Sequence, residues 1–284
     1  MSELALIVAR GESVVPGKAY LHDTPMLRSH AGTQPDLYLC WNVIPLDAAA
    51  LDIVVHLHGF SQAGAQMQLA EKVARAGIDL TGRSRPTLAL IPRGNWLRYT
   101  WYNFPALLGG GIDRLVDYGL AWFASASASA PAIDRFIFTA HSGGGMPAPD
   151  AIAGARRLPD EFFVFDGFYG RDPAGGNPMQ GLEVVEGWLG ARLAGEPARP
   201  GALRVIYIKP QTGLFSRRVQ TLIDERLAAL APVLAGALRH RYRTERSGVP
   251  HAHIAQACQQ ALLADAGAEF DWSRYAGVAL ARRR

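Results

Sequence analysis

From residue 51 onward, short apolar runs rich in β-branched and aromatic residues alternate with longer stretches whose apolar positions recur at helical spacing. The runs predict strands over 51–58, 85–92, 135–140, 161–166, 202–208 and 240–245. The stretches between them predict helices over 62–77, 110–123, 149–157, 181–194, 216–238 and 254–267. Strands that are apolar on both faces and separated by helices form a mainly parallel sheet covered on both sides. Ahead of this block, 4–10 and 36–44 read as strands separated by the turn-rich segment 11–33, which suits an antiparallel start to the sheet. The expected fold class is therefore α/β, with a mostly parallel central sheet of about eight strands flanked by helices. A single domain over 1–284 is expected, its core at about 36–267 and its tail at 268–284. The alternating Ala and Ser of 124–131 reads as a link between a helix and the next strand.

Composition narrows the class. With 49% of residues hydrophobic and 19% charged, the chain can bury a large core, which excludes disordered and fibrous proteins. The net charge of +4 is spread singly or in pairs, and the one run, Arg282 to Arg284, reads as a frayed end. Neither nucleic acid nor a membrane is therefore expected as a partner. Two cysteines, Cys40 and Cys258, are too few for a disulfide framework or a thiolate metal site. Residues 1–10 lack the pattern of a signal peptide, and no window approaches the roughly 18 apolar residues needed to span a bilayer. A cytoplasmic location is the expectation, and oligomeric state is left open.

The predicted strand 135–140 runs straight into His141, Ser142, Gly143, Gly144 and Gly145 before a helix begins. A serine on so tight a strand-to-helix turn needs small residues two before and two after it, and Ala140 and Gly144 fill those places. Such a serine also serves as a plain helix N-cap, so the flanking strand and helix are what give the motif weight. Upstream, the strand 51–58 ends in His58, Gly59 and Phe60.

With Ala-His-Ser-Gly-Gly and His-Gly-Phe in this order and separation, the chain resembles the α/β-hydrolase superfamily over roughly 51–267. The resemblance implies a serine hydrolase that cleaves an ester or amide bond through an acyl-enzyme, with Ser142 as nucleophile and no cofactor or metal. It also implies an oxyanion hole made by the backbone N–H groups of Phe60 and Gly143.

The family's order of nucleophile, acid and base directs attention downstream. Residues 209–220, after the strand where the acid usually sits, contain no Asp or Glu. The preceding strand instead ends in Asp166, followed by Gly167, Phe168, Tyr169 and Gly170, and some superfamily members carry the acid there. Asp166 is the expected acid, with Asp172 a weaker substitute. The last strand leads to His251, Ala252 and His253, just ahead of a helix. His251 is preferred as the base because it lies farther inside the loop, with His253 as the alternative.

Two His-x-His pairs, His56 with His58 and His251 with His253, suggest a metal-dependent hydrolase as a second reading. Further ligands at successive strand ends are not evident. A third reading is a relative of the fold that binds a ligand without catalysis, although here every member of the expected set has a candidate. The loop 93–105 leaves the same sheet edge as Ser142 and is dense in aromatics. Arg93, Trp101, Tyr102 and Tyr169, together with His58 and Gly59, are expected to line the site for a small-molecule or peptide substrate.

Overall fold

Ile53, Val55 and Leu57 face one side of the strand Ala50–Leu57, Val54 faces the other, and all four are sealed from solvent. The strand Ala132–His141 repeats the division, with Phe136, Phe138 and Ala140 on one side and Ile137 on the other. Two buried faces are why these runs read as continuously apolar.

The structure is a computed structural model that describes residues 9–10, 12–59, 68–95, 104–127, 129–169, 181–196, 198–199, 201–208 and 210–263. In chain order its strands are β1 (Ala9–Arg10), β2 (Ser13–Val14), β3 (Gly17–Leu21), β4 (Leu37–Trp41), β5 (Ile44–Pro45), β6 (Ala50–Leu57), β7 (Thr87–Pro92), β8 (Ala132–His141), β9 (Glu161–Phe165), β10 (Ala202–Tyr207) and β11 (Tyr242–Arg246). The helices are α1 (Leu69–Ala76), α2 (Gly111–Ser127), α3 (Ala148–Ala153), α4 (Leu182–Ala194), α5 (Pro210–Ala228), α6 (Pro232–Leu238) and α7 (Ile254–Leu263). Among the described residues no helix is long and apolar enough to cross a membrane.

The main sheet has eight strands in the order β11-β10-β9-β8-β6-β7-β4-β3. From β7 to β11 all neighbours are parallel, and β3 and β4 add the antiparallel start. A small separate sheet joins β1, β2 and β5. Apolar residues of α2 to α6 pack on one face of the main sheet, while α7 and α1 cover the other. The chain crosses from β6 to β7 on one side and then returns to place β8 on the other side of β6. The carboxyl ends of β6 and β8 thus flank the point where strand order reverses, the place where open α/β sheets hold ligands.

Several boundaries differ from those expected. Of the predicted strand 4–10, only Ala9–Arg10 falls among the described residues, and it pairs in the small sheet. The true antiparallel edge is β3, inside the segment expected to be turns, where Gly17 and Lys18 hide the strand pattern. The predicted strand 36–44 divides into β4 and β5, which belong to different sheets. The predicted helix 216–238 begins earlier, at Pro210, and breaks before Pro232, a residue that fits only the first turn of a new helix.

Candidate active site

β8 ends at His141, and Ser142 follows with φ of +52°, a left-handed conformation that a side chain adopts only under constraint. A short 3-10 turn, Ser142–Gly145, then leads toward α3. The glycines are there for space. A Cβ on Gly144 would lie 2.8 Å from the His58 carbonyl oxygen, and one on Gly145 would lie 2.6 Å from Gly167 Cα. Gly59 packs equally tightly, since a Cβ there would come within 2.8 Å of Ser142 Cβ and 2.9 Å of His141 Nδ1. The turn after β8 is thereby wedged between the turns after β6 and β9.

Asp166 follows β9 directly, is fully buried and also has positive φ, +45°. Its Oδ2 accepts a hydrogen bond from His251 Nδ1 at 2.6 Å, and His251 Nε2 lies 2.8 Å from Ser142 Oγ. Asp166 Oδ1 accepts the backbone N–H of Ile208 at 2.9 Å and the hydroxyl of Thr212. The residues after β10, which supply no carboxylate of their own, are thus spent on holding the one from β9. With Asp166 accepting at Nδ1, the His251 ring offers an unprotonated Nε2, and the Ser142 hydroxyl donates to it.

His251 sits in the loop after β11, and a second histidine fixes it. His141 Nε2–H donates to the His251 carbonyl oxygen at 2.9 Å, and because a carbonyl only accepts, this contact sets the His141 tautomer. Burial holds His141 neutral, its pKa lowered to about 4, with the neighbouring His251 adding to the effect. His253 is exposed, and its backbone N–H donates to the Pro250 carbonyl; it is His251 that reaches Ser142.

Other expected site residues are placed differently. Arg93 does not line an open pocket. Its guanidinium is buried and bonded to Asp36 Oδ1 at 2.7 Å and to the His30 carbonyl at 2.8 Å. His58 is also buried, with Nε2 accepting the Gly94 N–H at 3.1 Å and Nδ1 donating to the Gly59 carbonyl at 3.1 Å. Its pKa is lowered by burial and then by the cation of Lys72. His56 Nδ1 is engaged with Thr139 Oγ1 at 2.7 Å. The His-x-His pairs do not converge, and among the described residues no three His, Cys, Asp or Glu side chains are grouped to hold a metal. Tyr169 does reach the site, with Oη 3.5 Å from Ser142 Oγ. Phe60, Trp101, Tyr102 and Asp172 lie outside the described residues.

Three contributors escaped the sequence reading. Thr212 had no motif to mark it. His141 stands in the sequence only as the neighbour of the serine. Lys72 left a readable sign: it shares the 69, 72, 76 stripe of α1 with Leu69 and Ala76, where an apolar residue belongs. It is buried, its Nζ donates to the Gly59 carbonyl at 2.6 Å, and burial lowers its pKa to about 7.

No protein-family model matches the chain, and no curated protein sequence matches it. Among solved structures it is similar to XC6422 from Xanthomonas campestris, an α/β serine hydrolase without a lid, at 12% identity and a TM-score of 0.38, covering 88% of this chain and 92% of that one. It is similar to the siderophore hydrolase EstA from Aspergillus nidulans at 14% identity and a TM-score of 0.43, covering 81% and 89%. The enterobactin esterase FES from Shigella flexneri is similar at 13% identity and a TM-score of 0.48, over 89% of this chain and 58% of that one. The chain's own strand order, its helices on both sheet faces, and the strand, tight turn and helix at Ser142 give it the α/β-hydrolase fold.

Proposed function

We propose that the chain is a serine hydrolase that cleaves an ester or amide bond of a small-molecule or peptide substrate. The observation that carries this reading is the continuous hydrogen-bonded relay from Ser142 Oγ through the His251 ring to Asp166, with the serine on a left-handed turn at the switch point of the sheet. Ser142 Oγ attacks the acyl carbon while His251 Nε2 takes its proton. Asp166 holds the imidazole in the accepting tautomer and stabilises the imidazolium that forms. The backbone N–H of Gly143, and that of Phe60 as the His-Gly-Phe motif implies, would receive the oxygen that becomes negative, each such donor being worth roughly 3 kcal/mol in the transition state. His251 then returns the proton to the leaving group and activates the water that hydrolyses the acyl-enzyme.

The test is labelling with a fluorophosphonate probe, followed by turnover of acyl esters of graded length and of peptides. Labelling and turnover are expected for the native chain and neither for Ser142→Ala. Labelling that survives this substitution would overturn the assignment. A native chain that neither labels nor turns over any substrate would favour a binding protein on the same fold.

A further inference from the structure

We infer that Tyr169 is a catalytic hydrogen-bond donor, its phenol O–H passing from Ser142 Oγ in the resting enzyme to the oxyanion of the tetrahedral intermediate. This rests on the serine-hydrolase reading above and adds a side-chain donor to the two backbone groups proposed there.

The direction of the Tyr169 bond follows from the relay. Asp166 accepts at His251 Nδ1, so Nε2 accepts from Ser142, and the serine's single proton is committed. Only the lone pairs of Ser142 Oγ remain for Tyr169 Oη at 3.5 Å, so the phenol donates. Burial raises the Tyr169 pKa, the contact with Ser142 opposes the rise, and the charge of Asp166 adds a smaller upward push; the phenol keeps its proton at neutral pH.

Contacts of the preceding residues fix where Tyr169 leaves the strand end. Phe168, one residue before, is buried against Phe162 and Phe215. Gly167, two before, lies so close to the nucleophile's turn that a Cβ there would meet the Ser142 carbonyl oxygen at 2.9 Å. The Tyr169 N–H closes the turn onto the Gly167 carbonyl at 3.1 Å. One short turn therefore carries Asp166 behind the histidine and Tyr169 in front of the serine.

The attack balances without a further reagent. The bond from Oγ to the acyl carbon forms, the carbonyl π pair moves onto its oxygen, and the serine proton goes to His251 Nε2. Tyr169 keeps its own proton throughout. As Oγ becomes an ester-type oxygen it loses basicity, while the new oxyanion on the same tetrahedral carbon gains it. Two oxygens on one carbon are nearer to each other than a hydrogen-bond length, so the phenol needs only a small rotation to follow the charge. A donor that strengthens as charge develops lowers the barrier rather than KM.

The experiment compares the native chain, Tyr169→Phe and Ser142→Ala on a 4-nitrophenyl ester, and measures inhibition by an aryl trifluoromethyl ketone, which adds Oγ to its carbonyl and leaves an oxyanion. Tyr169→Phe is expected to lower kcat on the order of ten- to a hundredfold with KM nearly constant, and to weaken the ketone by the same factor. An unchanged melting midpoint separates this from misfolding. Kinetics and ketone affinity within about twofold of native, with Ser142→Ala inactive, would overturn the role of Tyr169 alone. A loss of kcat without matching loss of ketone affinity would overturn it too, leaving Tyr169 as packing. Turnover that persists in Ser142→Ala would overturn both readings.

Discussion

Ser142 and Asp166 leave neighbouring strands at the same register step, since His141 of β8 is paired with Phe165 of β9 and each of the two follows directly. Both then turn into left-handed backbone, at +52° and +45°. The proposed nucleophile and acid are therefore two strand ends bent in the same way, side by side, with Gly145 and Gly167 packed between them.

That conformation costs a non-glycine residue about 1 kcal/mol, whatever its side chain does chemically. Ser142→Gly should therefore be more stable than Ser142→Ala by about that amount, a rise of roughly 2–4 °C in melting midpoint. Both variants should fail to label with the phosphonate. Equal midpoints would mean that the turn stores no strain.

Thr212 touches the relay at Asp166, whose Oδ1 it shares with the Ile208 N–H. Replacing it with valine keeps the shape and removes the hydroxyl, so kcat should fall roughly tenfold with KM little changed. Thr212→Ser should recover most of the loss. If serine proves no better than valine, it is the methyl packing of Thr212 that matters.

His141 ties the loop of the proposed base to the strand of the nucleophile. His141→Ala leaves the His251 carbonyl without that donor, at a cost of about 1–3 kcal/mol in stability, and should lower kcat as the ring loses its anchor. His141→Gln retains an N–H of similar reach and should lie between the two in kcat. Urea midpoints and ester turnover measured on the same samples provide the check.

Four buried histidines, among them His30, whose pKa burial also lowers, make the fold sensitive to acid. His141 titrates at about 4, His56 at about 3, and His58 below its ordinary value, each through burial. Because the folded pKa values lie below the unfolded one, this stability is complete above about pH 6.5 and is lost as pH falls toward 4. Each such proton contributes about 1.4 kcal/mol per pH unit inside the window. The urea midpoint should fall from pH 7 to pH 5, and His56→Gln should fall less steeply. A flat native profile over that interval would contradict the buried neutral rings.

Lys72 gives the complementary slope at higher pH. Its folded pKa, about 7, lies below the unfolded value, so the unfolded chain holds the extra proton between about pH 7 and 10. Stability should rise with pH across that interval, by at most about 1.4 kcal/mol per unit. Lys72→Met should abolish the rise. A midpoint slope identical in Lys72→Met and the native chain would place the titration elsewhere.

Where the sequence was legible, it was legible through period and punctuation. Parallel strands buried on both faces announce themselves, and the family resemblance, together with the lack of an acid in 209–220, is what points to Asp166. Contacts that join distant elements have no such signature. Nothing near Thr212 says that its hydroxyl ends at a carboxylate 46 residues away, and Arg93 reads in the sequence as a ligand-binding cation although the fold pairs it with Asp36. Lys72 is an intermediate case, a charge in an apolar stripe, which marks burial without naming the partner.

Of the three relay members, only His251 depends on the edge of the sheet. Among the described residues β11, the strand before its loop, pairs in the sheet with β10 alone, whereas β8 and β9 have neighbours on both sides. Warming that frays the sheet inward from this edge would carry the histidine away while serine and carboxylate stay clamped in the middle. Turnover by the proposed hydrolase should then fail below the main unfolding transition and return on cooling, the sheet edge acting as a thermal fuse.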